Sequence, residues 1–181
     1  MLDAVRVNKN KKYDRIISVG MFEHVGIKNH NTFFNVCENI LTDDGIFLLH
    51  TITTPNSDTY LTGQRKYSGN AWINTYIFPG GSIPMAEDIL TSSQSQHLMY
   101  HHIQNLSISY AKTLKEWYNN FTFNWKQIKK TNPEFFTKKF YKMWEFYLLS
   151  CTVLFEKKQM QLSQFVFTKK KYDGMYIFVE K

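Results

Sequence analysis

Asp14-Arg15-Ile16-Ile17-Ser18-Val19-Gly20, followed by Met21-Phe22-Glu23-His24-Val25-Gly26, is the stretch that decides the fold. Its first seven residues are an apolar run with β-branched members, the pattern of a strand buried on both faces. That strand stops just short of a carboxylate, Glu23. A second run, Ile46-Phe47-Leu48-Leu49-His50-Thr51-Ile52, carries a histidine at its far end. Between them, Asn31 to Leu41 reads as one amphipathic helix with Phe33, Val36, Cys37, Ile40 and Leu41 on a single stripe. Asn29 or Asn31 is placed to cap its start. Thr42-Asp43-Asp44-Gly45 reads as the turn that stops it, with Gly45 in a left-handed C-terminal position. Strand, helix and strand form a β-α-β unit, whose right-handed crossover makes the strands parallel. Ligands of open α/β sheets sit at the carboxyl ends of the strands, so Glu23 and His50 are expected to converge on one crevice. A carboxylate beside an imidazole sets its tautomer and tunes its pKa.

The chain has 181 residues, enough for one domain spanning 1–181 with a sizeable core. Hydrophobic content of 43% with 20% charged residues is that of a globular protein rather than a disordered chain. Aromatics at 17% favour an apolar ligand pocket. Cys37 and Cys151 are far apart and lack metal-ligand spacing, which argues against a disulfide framework or a zinc site. No apolar run approaches the ~20 residues of a membrane span, and the expected compartment is the cytoplasm. The formal net charge is +7, with lysines gathered at 126–130, 138–139 and 169–171. The plain expectation is solvated faces; the sharper one is peripheral contact with an anionic membrane, at about 1 kcal/mol per lysine near the surface. No recognition-helix, zinc-finger or ribonucleoprotein motif points to nucleic acid.

Along the rest of the chain, residues 1–13 form a polar lead-in and 53–70 a polar loop beside the expected crevice. Ser82 is placed to cap a short helix with Pro84 in its first turn, ending near Leu90. His97 to Leu106 fits a strand, Thr113 to Ile128 a helix, and Pro133 to Lys157 a second long helix. Leu162 to Thr168 and Met175 to Val179 around Asp173-Gly174 carry a hairpin signal. Each candidate also has an ordinary reading. Tyr110 fits a half-buried tyrosine just before a helix, and Cys151 fits inert core filling. His97, His101 and His102 have mismatched faces and no acidic neighbour for a metal.

In order along the chain, Tyr13 to Gly26, Gly45 to Ile52, Trp72-Ile73 with Tyr76-Ile77-Phe78-Pro79-Gly80-Gly81, Tyr110 to Leu114 with Trp117-Tyr118, Tyr147 to Phe155 and Gln161 to Phe167 resemble the cyclopropane-fatty-acyl-phospholipid synthases and mycolic acid cyclopropane synthases. The resemblance implies a methyltransferase of lipid biosynthesis. It would use S-adenosylmethionine to add a methylene across the cis double bond of a phospholipid or other lipid acyl chain, through a carbocation deprotonated by bound bicarbonate. The same resemblance assigns Glu23, His50 and Tyr110, with the backbone near Ile52, to the bicarbonate. Cys151 matches a cysteine once taken as a nucleophile, and Val19 and Gly20 match positions bordering the cofactor.

The implied fold is an α/β, Rossmann-like S-adenosylmethionine-dependent methyltransferase domain. Its glycine-rich turn and ribose-holding acid precede the strand matched here, and this chain has no glycine before Gly20. The expectation is therefore the C-terminal half of that fold, from the fourth strand onward, with Asp14–Gly20 as an exposed edge. Such a half would bind S-adenosylmethionine weakly or not at all alone. It would need a separate N-terminal half or a homo-oligomer, or be an inactive fragment or interaction module.

Overall fold

The computed structural model describes residues 11–55 and 71–174. β1 (Tyr13–Val19), α1 (His30–Ile40) and β2 (Leu41–Thr53) form the expected unit, and β1 pairs with β2 in parallel, from Arg15 opposite Ile46 to Val19 opposite His50. Two short 3-10 turns, Phe22–His24 and Ile27–Asn29, lie between β1 and α1. Beyond them come α2 (Ala71–Tyr76), α3 (Ala86–Ser95), β3 (Leu98–Asn105), α4 (Ser107–Thr131), α5 (Lys138–Glu156) and β4 (Gln161–Lys169). The sheet runs β1-β2-β4-β3, with β3 and β4 antiparallel. Among the described residues it is a four-stranded mixed sheet of an α/β fold.

Within the single domain expected, the chain forms two compact units: Met1–Asn105 with Leu162–Lys181, and Leu106–Gln161. The first holds a core of Phe22, Phe34, Phe47, Leu49, Ile89, Leu98, Phe165 and Phe167. Its rings meet edge to face, as Phe34 and Phe167 at 5.8 Å, tilted, as Phe47 and Phe167 at 5.6 Å, or stacked, as Phe165 and Phe167 at 5.9 Å. The second is an α4–α5 pair joined through aromatic contacts such as Phe121 on Tyr141 at 5.2 Å.

Several local expectations are corrected. The apolar pattern of β1 is not that of a strand buried on both faces; the strand lies at the sheet edge expected for a chain that starts with it, with Ile17 69% and Val19 62% exposed. The strand with both faces covered is β4, where Phe165, Val166, Phe167 and Thr168 are all buried. Thr42–Gly45 is not a helix-stopping turn but an irregularity inside β2, because Tyr13 pairs with Leu41 while Arg15 pairs with Ile46. Gly45 is not left-handed. Its hydrogen matters for close approach, since a Cβ there would lie 2.5 Å from Leu41 Cδ1 and 2.9 Å from the Thr42 carbonyl oxygen.

Asn29 occupies the N-cap of α1 without capping it; its Nδ2 donates back to the Val25 carbonyl at 2.8 Å. α3 starts at Ala86 behind Met85, not at Ser82, because Thr54 bridges Met85 and holds that segment extended. Tyr110 lies inside α4 rather than ahead of it. β4 finds its antiparallel partner in β3; Met175 to Val179 and most of the 53–70 loop lie outside the described residues. No helix among the described residues is long and apolar enough to cross a membrane.

Candidate active site

The end of β1 sets the first group in place. Gly20 adopts φ +61°, a conformation that glycine enters without strain, and its N–H donates to the His50 carbonyl at 2.9 Å. The chain then turns through Phe22–His24, with Phe22 driven into the core, its ring tilted against His30 and Phe34 and edge-on to Phe33. That anchor swings Glu23 across the end of β2, where it is only 8% exposed. The Ile52 N–H donates to Glu23 Oε1 at 2.7 Å. From the other side, the Pro79-Gly80-Gly81 break, with Gly80 at φ +77°, brings the Ser82 N–H onto the Glu23 carbonyl at 2.8 Å. Phe78 lies beside His24, with ring centroids 5.9 Å apart.

His50 alternates away from the core face that carries Phe47 and Leu49, and is half-buried. Burial lowers its pKa from the ordinary value, and the nearby Glu23 carboxylate pushes back upward. The two groups therefore feel each other through a partly water-excluded space. Among the described residues Glu23 Oε2 and His50 Nδ1 are buried without a hydrogen-bond partner, as are Ser18 Oγ and both ring nitrogens of His30. Buried polar atoms are nearly always paired, which makes Glu23 Oε2 and His50 Nδ1, at the ends of adjacent strands, candidate ligand contacts.

Those orphans also test the fit of bicarbonate. That ion has one O–H to donate and carboxylate oxygens that accept. Glu23 Oε2 is an acceptor, and His50 in its Nδ1–H tautomer is a donor, so both sides of the ion are matched. A plain carboxylate would face Glu23 with no hydrogen to offer. The Ile52 N–H, by contrast, is already committed to Glu23, so the backbone there acts by holding Glu23.

Val19 and Gly20 are both exposed at the carboxyl end of β1, open to a ligand. Tyr110 belongs to the second unit, where its ring meets Phe155 edge-on at 4.9 Å and Trp117 at 6.0 Å. Cys151 lies in α5 of that unit, buried, with its thiol pushed up to about 11 by desolvation. A thiol so placed stays protonated near neutral pH and is a poor nucleophile. The backbone clamps on Glu23 from Ile52 and Ser82 have no side-chain signature. Only the Pro79-Gly80-Gly81 break hinted at the second.

The sequence model of mycolic acid cyclopropane synthetases matches residues 3–165. The chain belongs to this family. The chain is 37% identical over 168 residues to the cyclopropane-fatty-acyl-phospholipid synthase of Escherichia coli strain K12, covering 93% of this chain and 41% of that protein. The structure of the cyclopropane synthase MmaA2 from Mycobacterium tuberculosis superposes with a TM-score of 0.77 at 31% identity, over 88% of this chain and 56% of that one. The mycolic acid cyclopropane synthase CmaA1, complexed with SAH and CTAB, gives 0.77 at 29% identity with the same two coverages. The chain thus spans about half the length of the relatives it matches, and those relatives are cyclopropane synthases by name.

Proposed function

We propose that this chain carries the proton-accepting part of an S-adenosylmethionine-dependent methylene transfer to the cis double bond of a lipid acyl chain. The observation that carries the reading is the Glu23–His50 pair, clamped at the strand ends with Glu23 Oε2 and His50 Nδ1 left unpartnered. S-adenosylmethionine supplies an electrophilic methyl group, and SAH in the CmaA1 complex supports that cofactor for the family. Bicarbonate supplies the base that takes the proton when the three-membered ring closes.

The protein's own groups have defined tasks in this scheme. Glu23 Oε1 is fixed by the Ile52 N–H, so Oε2 is held in one place to accept the O–H of the ion. His50, kept neutral by burial, holds a proton at Nδ1 for a carboxylate oxygen of the same ion. Neutrality matters, because an imidazolium would tighten the ion and weaken it as a base. A cation formed on the acyl chain needs water kept away and aromatic faces near it, which suits the aromatic content. Tyr110 is assigned to the ion by resemblance alone, and Tyr110→Phe tests it.

The experiment is mass spectrometry of acyl chains after incubation with S-adenosylmethionine and cis-unsaturated phospholipid. It is run on this chain alone and on this chain fused behind the unmatched part of the Escherichia coli relative. The expected result is the mass gain of one methylene in the fusion, falling on the order of a hundredfold or more in Glu23→Gln and His50→Ala, the scale of lost proton-transfer catalysis. Full product from both variants in bicarbonate-free buffer would refute the assignment.

A further inference from the structure

Three lysine clusters stand out in the sequence, and the structure separates them. Lys169 is engaged, its Nζ 3.4 Å from Glu38 and 3.6 Å from Asp43, with the side chain 11% exposed. Lys171 reaches Asp43 at 3.9 Å. Lys126, Lys129 and Lys130 in the last turns of α4, and Lys138 and Lys139 in the first turn of α5, are exposed. None of these five has an acidic partner among the described residues. All five gather at one end of the helical pair, where Glu134 is the sole acid between residues 121 and 142.

Helix electrostatics explains only part of this. Lys129 and Lys130 sit at the C-terminal end of α4, which welcomes positive charge. Lys138 and Lys139 sit at the N-terminal end of α5, with no acid in that turn. That end repels positive charge, so these two lysines oppose the stability of the helix that carries them.

Large apolar side chains are exposed here too: Phe135, in the connection between the helices, at 59%, and Phe123, about 12 Å back along α4 from its last residue, at 87%. Neither belongs to a loose segment. Phe123 lies about 200° around α4 from Phe121, whose ring packs on Tyr141, so it faces away from α5. Phe135 is held by rings of Phe136 at 5.0 Å and Phe140 at 5.3 Å. Its N–H donates to Asn132 Oδ1 at 3.1 Å, and the Phe140 N–H donates to the Thr137 hydroxyl oxygen at 3.2 Å. This end of the helical pair presents two phenyl rings and five lysines that have no acidic partner among the described residues.

We propose that this tip is an interfacial anchor for an anionic lipid bilayer. Phe123 and Phe135 enter at the level of the headgroups, and the lysines around them meet lipid phosphates. The choice of a bilayer over other polyanions rests on the lipid substrate proposed above. The surface itself rests on the charge, exposure and packing just described.

The test is flotation of the full chain with phosphatidylglycerol–phosphatidylcholine vesicles in equal parts, against pure phosphatidylcholine, without cofactor. The native chain is expected to float with the anionic vesicles and to lose most of that binding in high salt. The triple variant Lys126→Gln, Lys129→Gln, Lys130→Gln is expected to bind on the order of a hundredfold more weakly, about fivefold per lysine. The double variant Phe123→Ser, Phe135→Ser is expected to weaken binding in high salt, where only the apolar part remains. Lys112→Gln with Lys115→Gln, on α4 away from the tip, serves as the charge-matched control and is expected to bind nearly as the native chain. Circular dichroism confirms that each variant folds.

Unaltered flotation of the triple variant, no preference for anionic vesicles, or preferential capture by single-stranded RNA in competition would each overturn the proposal. Flotation lost in the triple variant with methylene transfer absent everywhere leaves the anchor standing and refutes only the catalytic reading. Methylene transfer without any vesicle binding does the reverse.

Discussion

Glu23 and His50 in the first unit, and Tyr147 and Cys151 in the second, are two pairs of titratable side chains withdrawn from water, and burial acts on them differently. In α5, nothing charged opposes it. The Cys151 thiol rises to about 11 and the Tyr147 hydroxyl higher still, both by desolvation first, and both groups stay neutral across any working pH. At the strand ends, burial lowers His50 while the Glu23 carboxylate pushes back upward, the lowering prevailing. The lesson is that burial alone silences a group, whereas an opposite charge beside it offsets part of that effect. The unpartnered atoms follow the same division, with Glu23 Oε2 and His50 Nδ1 left open.

The largest effect should come from removing the carboxylate. Glu23→Ala leaves the Ile52 N–H without its acceptor, and urea unfolding should show a loss of about 2 kcal/mol. Glu23→Gln, whose amide oxygen can still accept, should recover most of that. Equal destabilisation by both would mean that charge, not the hydrogen bond, holds the turn.

Acid sensitivity sharpens the contrast next. Because the folded state holds His50 below its unfolded value of about 6.5, the unfolded chain binds the proton first. The contribution of His50 is therefore fully present above that pH and is lost as pH falls through it toward the folded midpoint. Chemical denaturation across this window should show the loss in the native protein and a steeper one in Glu23→Gln. Tyr147 and Cys151 should add nothing in the same range.

A smaller effect is expected at Cys151. Cys151→Ser should cost about 1 kcal/mol by placing a hydroxyl among apolar neighbours and leave methylene transfer by the fusion intact. Iodoacetamide at neutral pH should label neither Cys151 nor Cys37, whose thiol is pushed up to about 12, until denaturant is added. Rapid labelling of Cys151 in the folded protein would break the comparison. The smallest change should follow Ile17→Thr on the exposed edge, within about 0.5 kcal/mol, because little of that side chain is removed from water.

How far these features were legible in the sequence depends on how local their causes are. The β1–α1–β2 unit and the convergence of Glu23 and His50 follow from period, length and the handedness of crossovers, and their bounds fall within a residue or so except at Thr42–Gly45. There, Asp and Gly signal a turn, yet pairing of Leu41 with Tyr13 draws them into the strand. An apolar run like Asp14–Gly20 reads alike at the centre or the edge of a sheet; its place at the edge was expected only from the resemblance, in which the covering strand precedes the part matched here. The engagement of Lys169 by Glu38 and Asp43 joins residues more than a hundred positions apart. The clamp on Glu23 is made by main-chain N–H groups of Ile52 and Ser82, which every residue but proline carries.

The most direct test of the account is an NMR pH titration of the His50 imidazole in the native protein and in Glu23→Gln, each with and without bicarbonate. The account predicts a native midpoint below about 6.5, a lower one in Glu23→Gln, and a bicarbonate-dependent change in the native protein that the variant loses. A native midpoint at or above the ordinary histidine value, unmoved by the substitution and by bicarbonate, would contradict it.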